Sequence, residues 1–356
     1  MSVEETATRP VAGSYTVPGR SRLRALSEGG ALRTTILAAF LIALIIYFTA
    51  RSSHFLTGSN ALIVVTSSAV LALVSVGQTL TIVAGCFDLS VGGIAPLAGV
   101  VFALIANSGL SLTASIAAVL LLGAVCGLVN GVIVTFFKIN PFIATLATTS
   151  VASGLALTIS NGVQIPFNRE SEAAIAATSA LGVNNYVWVL IGLVIVVHVC
   201  LQTSVFGRYL YATGGNSEAA RLAGIRINGV VTCVYILSGM FAGLAGIVLA
   251  SQLQTGSGTA GSDLGLRSIT AVILGGAALA GGLGGMPGTM LGVLILGVLA
   301  NGMTLLGVSS FYQTIATGVV LLLAVGVSRI HRLPRATKRP RPIAVASPPP
   351  TERNTE

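Results

Sequence analysis

Asp88 stands in the run Ala84-Gly85-Cys86-Phe87-Asp88-Leu89-Ser90-Val91-Gly92-Gly93, followed by Pro96 and Gly99, and is one of very few acids in the apolar body of the chain. A carboxylate at the centre of a bilayer costs about 2.5–3.5 kcal/mol on the insertion scale, so it needs a purpose or an interface. Two purposes fit and are compatible: capping the helix that follows it, or facing a path through the protein. Glycines and a proline at this density interrupt a helix or let another backbone approach closely. Other reactive types do not assemble. Cys86, Cys126, Cys200 and Cys233 are isolated, without a Cys-x-x-Cys, and His54, His198 and His331 are scattered. No metal site and no cofactor is expected from them. The only lysines, Lys138 and Lys338, follow no phosphate-loop glycine pattern, so nucleotide hydrolysis by that machinery is not expected of this chain. Nor is there a ladder of embedded carboxylates such as proton-coupled carriers use. Energy for uphill transport would come from another chain.

A second constellation runs from Gly207 to Ile225, with Arg208, Asn216, Ser217, Glu218, Ala219, Ala220, Arg221 and Gly224. Asn216 or Ser217 can cap a short helix, Glu218 suits its positive first turn, and Gly224 can end it. Such a helix displayed in a long loop is a docking element. The alternative is an ordinary solvated connector.

The elements that must hold these residues are membrane helices. Only 8% of the 356 residues are Asp, Glu, Lys or Arg, against roughly 25% in soluble domains. The hydrophobic fraction is 54% and the mean hydropathy +0.92. Apolar runs of roughly 17–25 residues recur, and in lipid they must close their backbone hydrogen bonds internally, as helices. Alternating segments of barrel type are absent from the sequence. The fold class expected is all-α polytopic, with about ten spans: 34–50, 61–84, 90–106, 112–135, 141–160, 186–205, 229–250, 268–285, 287–306 and 312–328. The first is read as a span and not a secretory signal, being long for a signal core and followed by more spans.

Charge sets the orientation. Arg9, Arg20, Arg22, Arg24 and Arg33 precede the first span, and Arg329, Arg332, Arg335, Lys338, Arg339, Arg341 and Arg353 follow the last. Positive flanks stay cytoplasmic. The chain therefore divides into a basic cytoplasmic tail over 1–33, a transmembrane domain over 34–328, and a Pro/Arg-rich tail over 329–356, expected to be disordered. With both tails inside, the span count is even. Lys138 and the 206–228 loop then fall inside, and the acidic loop of Arg169, Glu170 and Glu172 outside. Tyr47, Phe48, Tyr186 and Trp188 would sit at the outer interface. No folded basic domain exists to bind nucleic acid.

The two halves echo each other. Asp88-Leu89-Ser90-Val91 is matched by Asp263-Leu264-Gly265-Leu266, and Asn130-Gly131 by Asn301-Gly302. Five spans per half would place the second half upside down, an inverted repeat with the path near its interface. The small-residue steps Gly123-Gly127-Gly131, Gly239-Gly243 and Gly288-Gly292 suit close helix packing, within the chain rather than at a dimer seam.

At these residues the chain resembles the membrane permease of bacterial ATP-binding-cassette importers of the ribose, xylose and galactose type. The matching sequence is Asp88-Leu89-Ser90-Val91-Gly92, Asn130-Gly131, Pro141-Phe142-Ile143-Ala144-Thr145-Leu146, Asn161-Gly162, the 207–216 run, Arg221-Leu222-Ala223-Gly224-Ile225, Ala271 to Gly276, Leu279-Ala280-Gly281-Gly282 and Tyr312-Gln313. It covers roughly residues 60 to 326 in order. Cys86 and Phe87 depart from the family, which has a second glycine and a small aliphatic residue there. The resemblance implies a permease subunit in the bacterial cytoplasmic (inner) membrane. Its partners would be a cytoplasmic ATPase, a periplasmic solute-binding protein and a second permease copy. The 208–224 residues above would dock the ATPase, and Asp88, Ser90, Asn130, Phe142, Asn301 and Tyr312 are the candidates for lining the path. A monosaccharide is the expected cargo, because the 207–216 run is similar to the sugar branch. Nucleosides or branched-chain amino acids are the alternative, and an ion-coupled carrier or a non-transporting scaffold the readings from other classes.

Cysteines introduced into the tails and beside Glu172 test the topology: the tails should react only from the cytoplasmic side, and position 172 only from outside. A C-terminus labelled from outside would make the number of spans odd and remove the inverted repeat.

Overall fold

Several helices open where a side chain accepts one of the hydrogen bonds that the helix end lacks. The computed structural model describes residues 19–167, 174–178 and 182–330. Its helices are α1 (Gly19–Arg51), α2 (Gly58–Val83), α3 (Val91–Asn107), α4 (Leu112–Thr135), α5 (Pro141–Ser160), α6 (Asn185–Thr203), α7 (Val205–Gly215), α8 (Ser217–Leu222), α9 (Ile227–Leu253), α10 (Leu264–Leu274), α11 (Met286–Leu305) and α12 (Ser310–Ile330). Two short strands, β1 (Ile165–Pro166) and β2 (Thr255–Gly256), pair antiparallel. Thr57 opens α2 by accepting from the Asn60 amide, and Ser111 opens α4 by accepting from Ala114. Asn140 caps α5, where Pro141 occupies the first turn and needs no donor partner.

Among the described residues, seven helices are long and apolar enough to cross a membrane and three shorter apolar ones accompany them, so the chain is a polytopic all-helical membrane protein. α2 and α9 form its centre. Their most apolar windows are 67% buried, against 11% for α1. α9 packs on α3 and α4, while α2 packs on α10 and α11. The second long helix of each half thus lies against elements of the other half, the arrangement that two related, interlocked halves would give. Burial also departs from the sequence reading at two aromatics: Phe48 packs over Gly302 and Phe55, and Tyr186 is buried with its hydroxyl accepting from Gln252.

The eighth expected span, 268–285, is not a helix over that range. Only Leu264–Leu274 is helical, 11 residues, or about 16 Å of rise where a bilayer core needs about 30 Å. The rest turns at Gly276, Gly281, Gly282 and Gly284, all at positive φ. Traversal of the bundle begins instead in the non-helical stretch 254–263, which runs beside α3. A Cβ on Gly256 would come within 2.7 Å of the Gly99 carbonyl oxygen, and one on Gly92 within 2.8 Å of the Ser262 carbonyl oxygen. At the other end of the chain, α1 starts at Gly19, ahead of the expected 34, so part of the predicted tail is helical. Residues 1–18, the loop with Arg169, Glu170 and Glu172, and the tail from 331 lie outside the described residues.

The glycine steps serve packing inside the chain. A Cβ at Gly127 would collide with the Tyr235 carbonyl oxygen and lie 2.8 Å from the Ile236 Cα, and Gly123 faces Gly239 in the same way. Backbones at that range gain dispersion contacts that lipid tails cannot match. Gly127→Leu should destabilise the fold by at least the roughly 1–3 kcal/mol of overpacking, read as a lower melting temperature of the detergent-solubilised protein. Gly192→Leu, on α6 with nothing within 4 Å of the new Cβ, should leave it unchanged.

Candidate functional site

Between α2 and α3 the chain turns through residues 84–90 and buries Asp88 and Ser90 completely. Asp88 does not cap α3 as expected. Ser90 holds the cap position, and Asp88 Oδ1 accepts from both the Ser90 amide, at 3.0 Å, and the Ser90 hydroxyl. Asn130 Nδ2, on α4 and fully buried, donates to Ser90 Oγ at 2.8 Å. Asn130 Oδ1 accepts from Thr148 Oγ1 of α5 at 2.6 Å. A continuous polar string therefore joins the turn before α3 to α4 and α5. Ser238 of α9 lies beside the Asp88 carboxyl, though neither Asp88 Oδ2 nor the Ser238 hydroxyl makes a well-aligned hydrogen bond among the described residues. The Tyr235 hydroxyl donates to the Phe87 carbonyl at 2.9 Å, which pins the turn to α9.

Of the six path candidates, the structure brings three together: Asp88, Ser90 and Asn130. All three are sealed from the surface of the single chain. Asn301 lies elsewhere, in a reciprocal amide pair with Asn60 at 3.0 and 2.9 Å that ties the end of α11 to the start of α2. Phe142 and Tyr312 are exposed, at 51% and 64%. Sequence reading missed Thr148, Asn60 and Ser238. Asn60 is visible as an amide entering an apolar run, but a threonine in a helix normally bonds its own preceding turn, so nothing marks Thr148.

The 205–224 segment is more ordered than a loop carrying one short helix. α7 and α8 form two helices, joined at Asn216, whose Oδ1 accepts from the Ala219 amide at 3.0 Å. Six residues make a marginal helix, and α8 is held by that cap, by buried Ala220 and by Gly224, at φ +86°. Arg221 Nε donates to Glu218 Oε2 at 3.2 Å and Arg221 Nη2 to Oε1, which holds the Glu218 carboxyl below its usual range and raises the Arg221 guanidinium. Both are well exposed, at 62% and 67%, so the pair contributes little to stability. It presents a fixed pattern of charge to solvent. Arg208 donates to the Thr203 carbonyl at 3.1 Å across the α6–α7 junction. Beside these helices opens a groove of about 390 Å³ between Phe206, Tyr209, Gly224, Arg226, Val230 and Cys233.

Residues 60–325 match the family described as the permease component of branched-chain amino acid transport systems. That stretch holds both the polar string and the α7–α8 pair. The chain belongs to this permease family. The ribose import permease protein of Escherichia coli (strain K12) is 39% identical over 316 residues, 88% of this chain and 97% of that protein. The ribose import permease protein of Bacillus subtilis (strain 168) is 38% identical over 291 residues, 81% and 90% of the two chains. The L-arabinose ABC transporter permease protein of Azospirillum brasilense is 33% identical over 334 residues, 93% and 97%. No solved structure matches.

The string predicts a graded response. Asp88→Asn keeps the Oδ1 acceptor and turns its new amide towards Ser238, so stability should change by about 0–1 kcal/mol and transport should persist. Asn130→Leu breaks the links to Ser90 and Thr148, whose hydroxyls then keep only Asp88 Oδ1 and the Ala144 carbonyl, and should cost about 1–3 kcal/mol. Melting temperatures of the two purified variants check the order. Equal losses would show that the string does not act as a unit.

Proposed function

We propose that this permease passes a monosaccharide, a pentose or hexose, through the bacterial cytoplasmic membrane, with both termini cytoplasmic and a separate ATPase docked on α7 and α8. A periplasmic binding protein would deliver the solute, and a second permease copy would complete the path. The observation that carries the cargo is that relatives 33–39% identical over nearly their whole length are named for ribose and arabinose. The family description names branched-chain amino acids, which makes them the competing cargo. Docking is supported by the Asn216 cap and by Glu218 and Arg221, which stand exposed on a helix too short to be there for its own stability. The groove beside them offers aromatic walls and one arginine to a partner. Phe142 and Tyr312, exposed on an otherwise apolar surface, fit a path closed by a second copy. Asp88, Ser90 and Asn130 then position the walls from behind and do not touch solute.

Proteoliposomes holding permease, ATPase and binding protein test this. Labelled ribose or arabinose should accumulate with ATP supplied on the ATPase side, and labelled leucine and nucleosides should not. Uptake that follows an ion gradient instead would make the chain a secondary carrier. For docking, Glu218→Arg and Gly224→Trp should release the ATPase from the purified complex or lower uptake at least about tenfold, the cost of a disrupted hot spot. Gly224→Ala carries the backbone strain of positive φ, about 1–2 kcal/mol, without the bulk, and should dock normally. Intact docking and uptake in both bulky or reversed variants would return α8 to the status of a connector.

A further inference from the structure

α7 is fastened to the bundle at its far end. The Tyr211 hydroxyl donates to the Gly284 carbonyl at 2.8 Å. One turn on, a Cβ at Gly214 would collide with the Val83 carbonyl oxygen and lie 2.7 Å from the Gly282 amide nitrogen. Gly282 N itself donates to Val83 O at 2.9 Å. A Cβ on Gly282 would come within 2.6 Å of the Gly215 Cα, and one on Gly281 within 2.7 Å of the Gly85 Cα. The ends of α7 and α2 and the 275–285 turn thus meet backbone to backbone, with no side chain between them. Side chains can change rotamer and absorb a small displacement. Backbone in contact with backbone cannot, and a close-packed interior passes strain on.

The turn leads through Gly275 into α10, the helix whose approach over 254–263 is non-helical. α10 can therefore shift along the bundle without breaking a helix of its own. Its first turn rests on the buried polar turn: a Cβ at Gly265 would lie 3.0 Å from the Leu89 carbonyl oxygen, next to Asp88. We propose that Tyr211, Gly214 and the 281–284 turn form a strut that delivers movement of the ATPase-docking helices to α10. Tyr211 and Gly214 are positioning residues that never touch solute or nucleotide. This inference rests on the docking role of α7 and α8, and it adds the route by which docking is felt inside the bundle. Contact alone does not establish coupling, so the test must separate transmission from stability and from docking.

Tyr211→Phe removes one hydroxyl and keeps the ring; Gly214→Ala pushes the three backbones apart. In the reconstituted importer, three quantities are read: ATPase co-purification, ATP hydrolysis rate, and solute moved per ATP hydrolysed. Tyr211→Phe should retain the ATPase and hydrolyse ATP within about twofold of wild type, yet move about fivefold less solute per ATP, the weight of one lost hydrogen bond. Its melting temperature should fall by no more than about 2–4 °C, the equivalent of one lost hydrogen bond. Gly214→Ala should show a larger loss per ATP wherever it folds. A Tyr211→Phe importer with wild-type solute per ATP overturns the strut, and so does a loss that melting explains. If Glu218→Arg and Gly224→Trp release the ATPase in parallel, docking stands whichever way Tyr211 falls. If they do not, docking itself is wrong and the strut goes with it.

Discussion

A peptide N–H in hydrocarbon has no hydrogen-bond partner except one the chain supplies, and each one left bare costs several kcal/mol. Most of this chain meets that constraint by being helical. The traverse from 254 to 285 meets it otherwise, partly by turns that close on themselves and partly with partners borrowed from neighbours. Phe167 N donates to the Gln254 carbonyl at 3.3 Å, β2 pairs with β1, Ala277 N donates to Val272 O at 3.1 Å, Ala278 N to Leu283 O at 3.0 Å, and Gly282 N to Val83 O. Irregular backbone at this depth survives because α2, α3 and α11 surround it. The same constraint explains why the central pair, α2 and α9, is buried on nearly every side while α1 is not. α1 also begins outside the stretch that matches the family, and it packs chiefly on α11. Of the seven candidate spans among the described residues it is the least buried.

Polar side chains obey the rule differently. Interhelical hydrogen bonds in membranes contribute about 0.6 kcal/mol on average, too little for the Asp88–Ser90–Asn130–Thr148 string to be the main source of stability. Its value is geometric. Each bond has one direction and one length, so α3, α4 and α5 can meet in one register only. Apolar packing alone would tolerate a small slide of α5. The Asn60–Asn301 pair does the same work at the opposite end of α2, so both ends of that central helix are referenced to polar contacts.

The exposed end at α7 and α8 obeys solvent rules again. Glu218 and Arg221 face water, where their mutual attraction is screened, while Ala220 and the Asn216 cap hold α8 in place. Attachment of α7 to the 281–284 turn joins an exposed surface to the buried backbone through close backbone contacts and one side-chain bond, that of Tyr211. A family whose members work with separate partner chains needs such a join somewhere. Here it falls at glycines, because only their absent Cβ lets three backbones meet.

The sequence by itself determined the class, most of the helix positions and the short helix α8. Hydropathy and cap residues are local, and lipid enforces helices wherever an apolar run is long enough. Asn216, Glu218 and Gly224 announce α8 for the same reason: a cap acts within one turn. Gly123, Gly127 and Gly239 signalled close packing, but which backbones they would admit was not written locally. The sequence misread 268–285, since apolar composition cannot distinguish a helix from a run of glycine turns that close on themselves and on the end of α2. It also could not pair Ser90 with Asn130, Asn130 with Thr148, or Asn60 with Asn301, residues separated by up to 241 positions. Those pairings depend on which helices the central α2 and α9 bring side by side, and only the tertiary structure decides that.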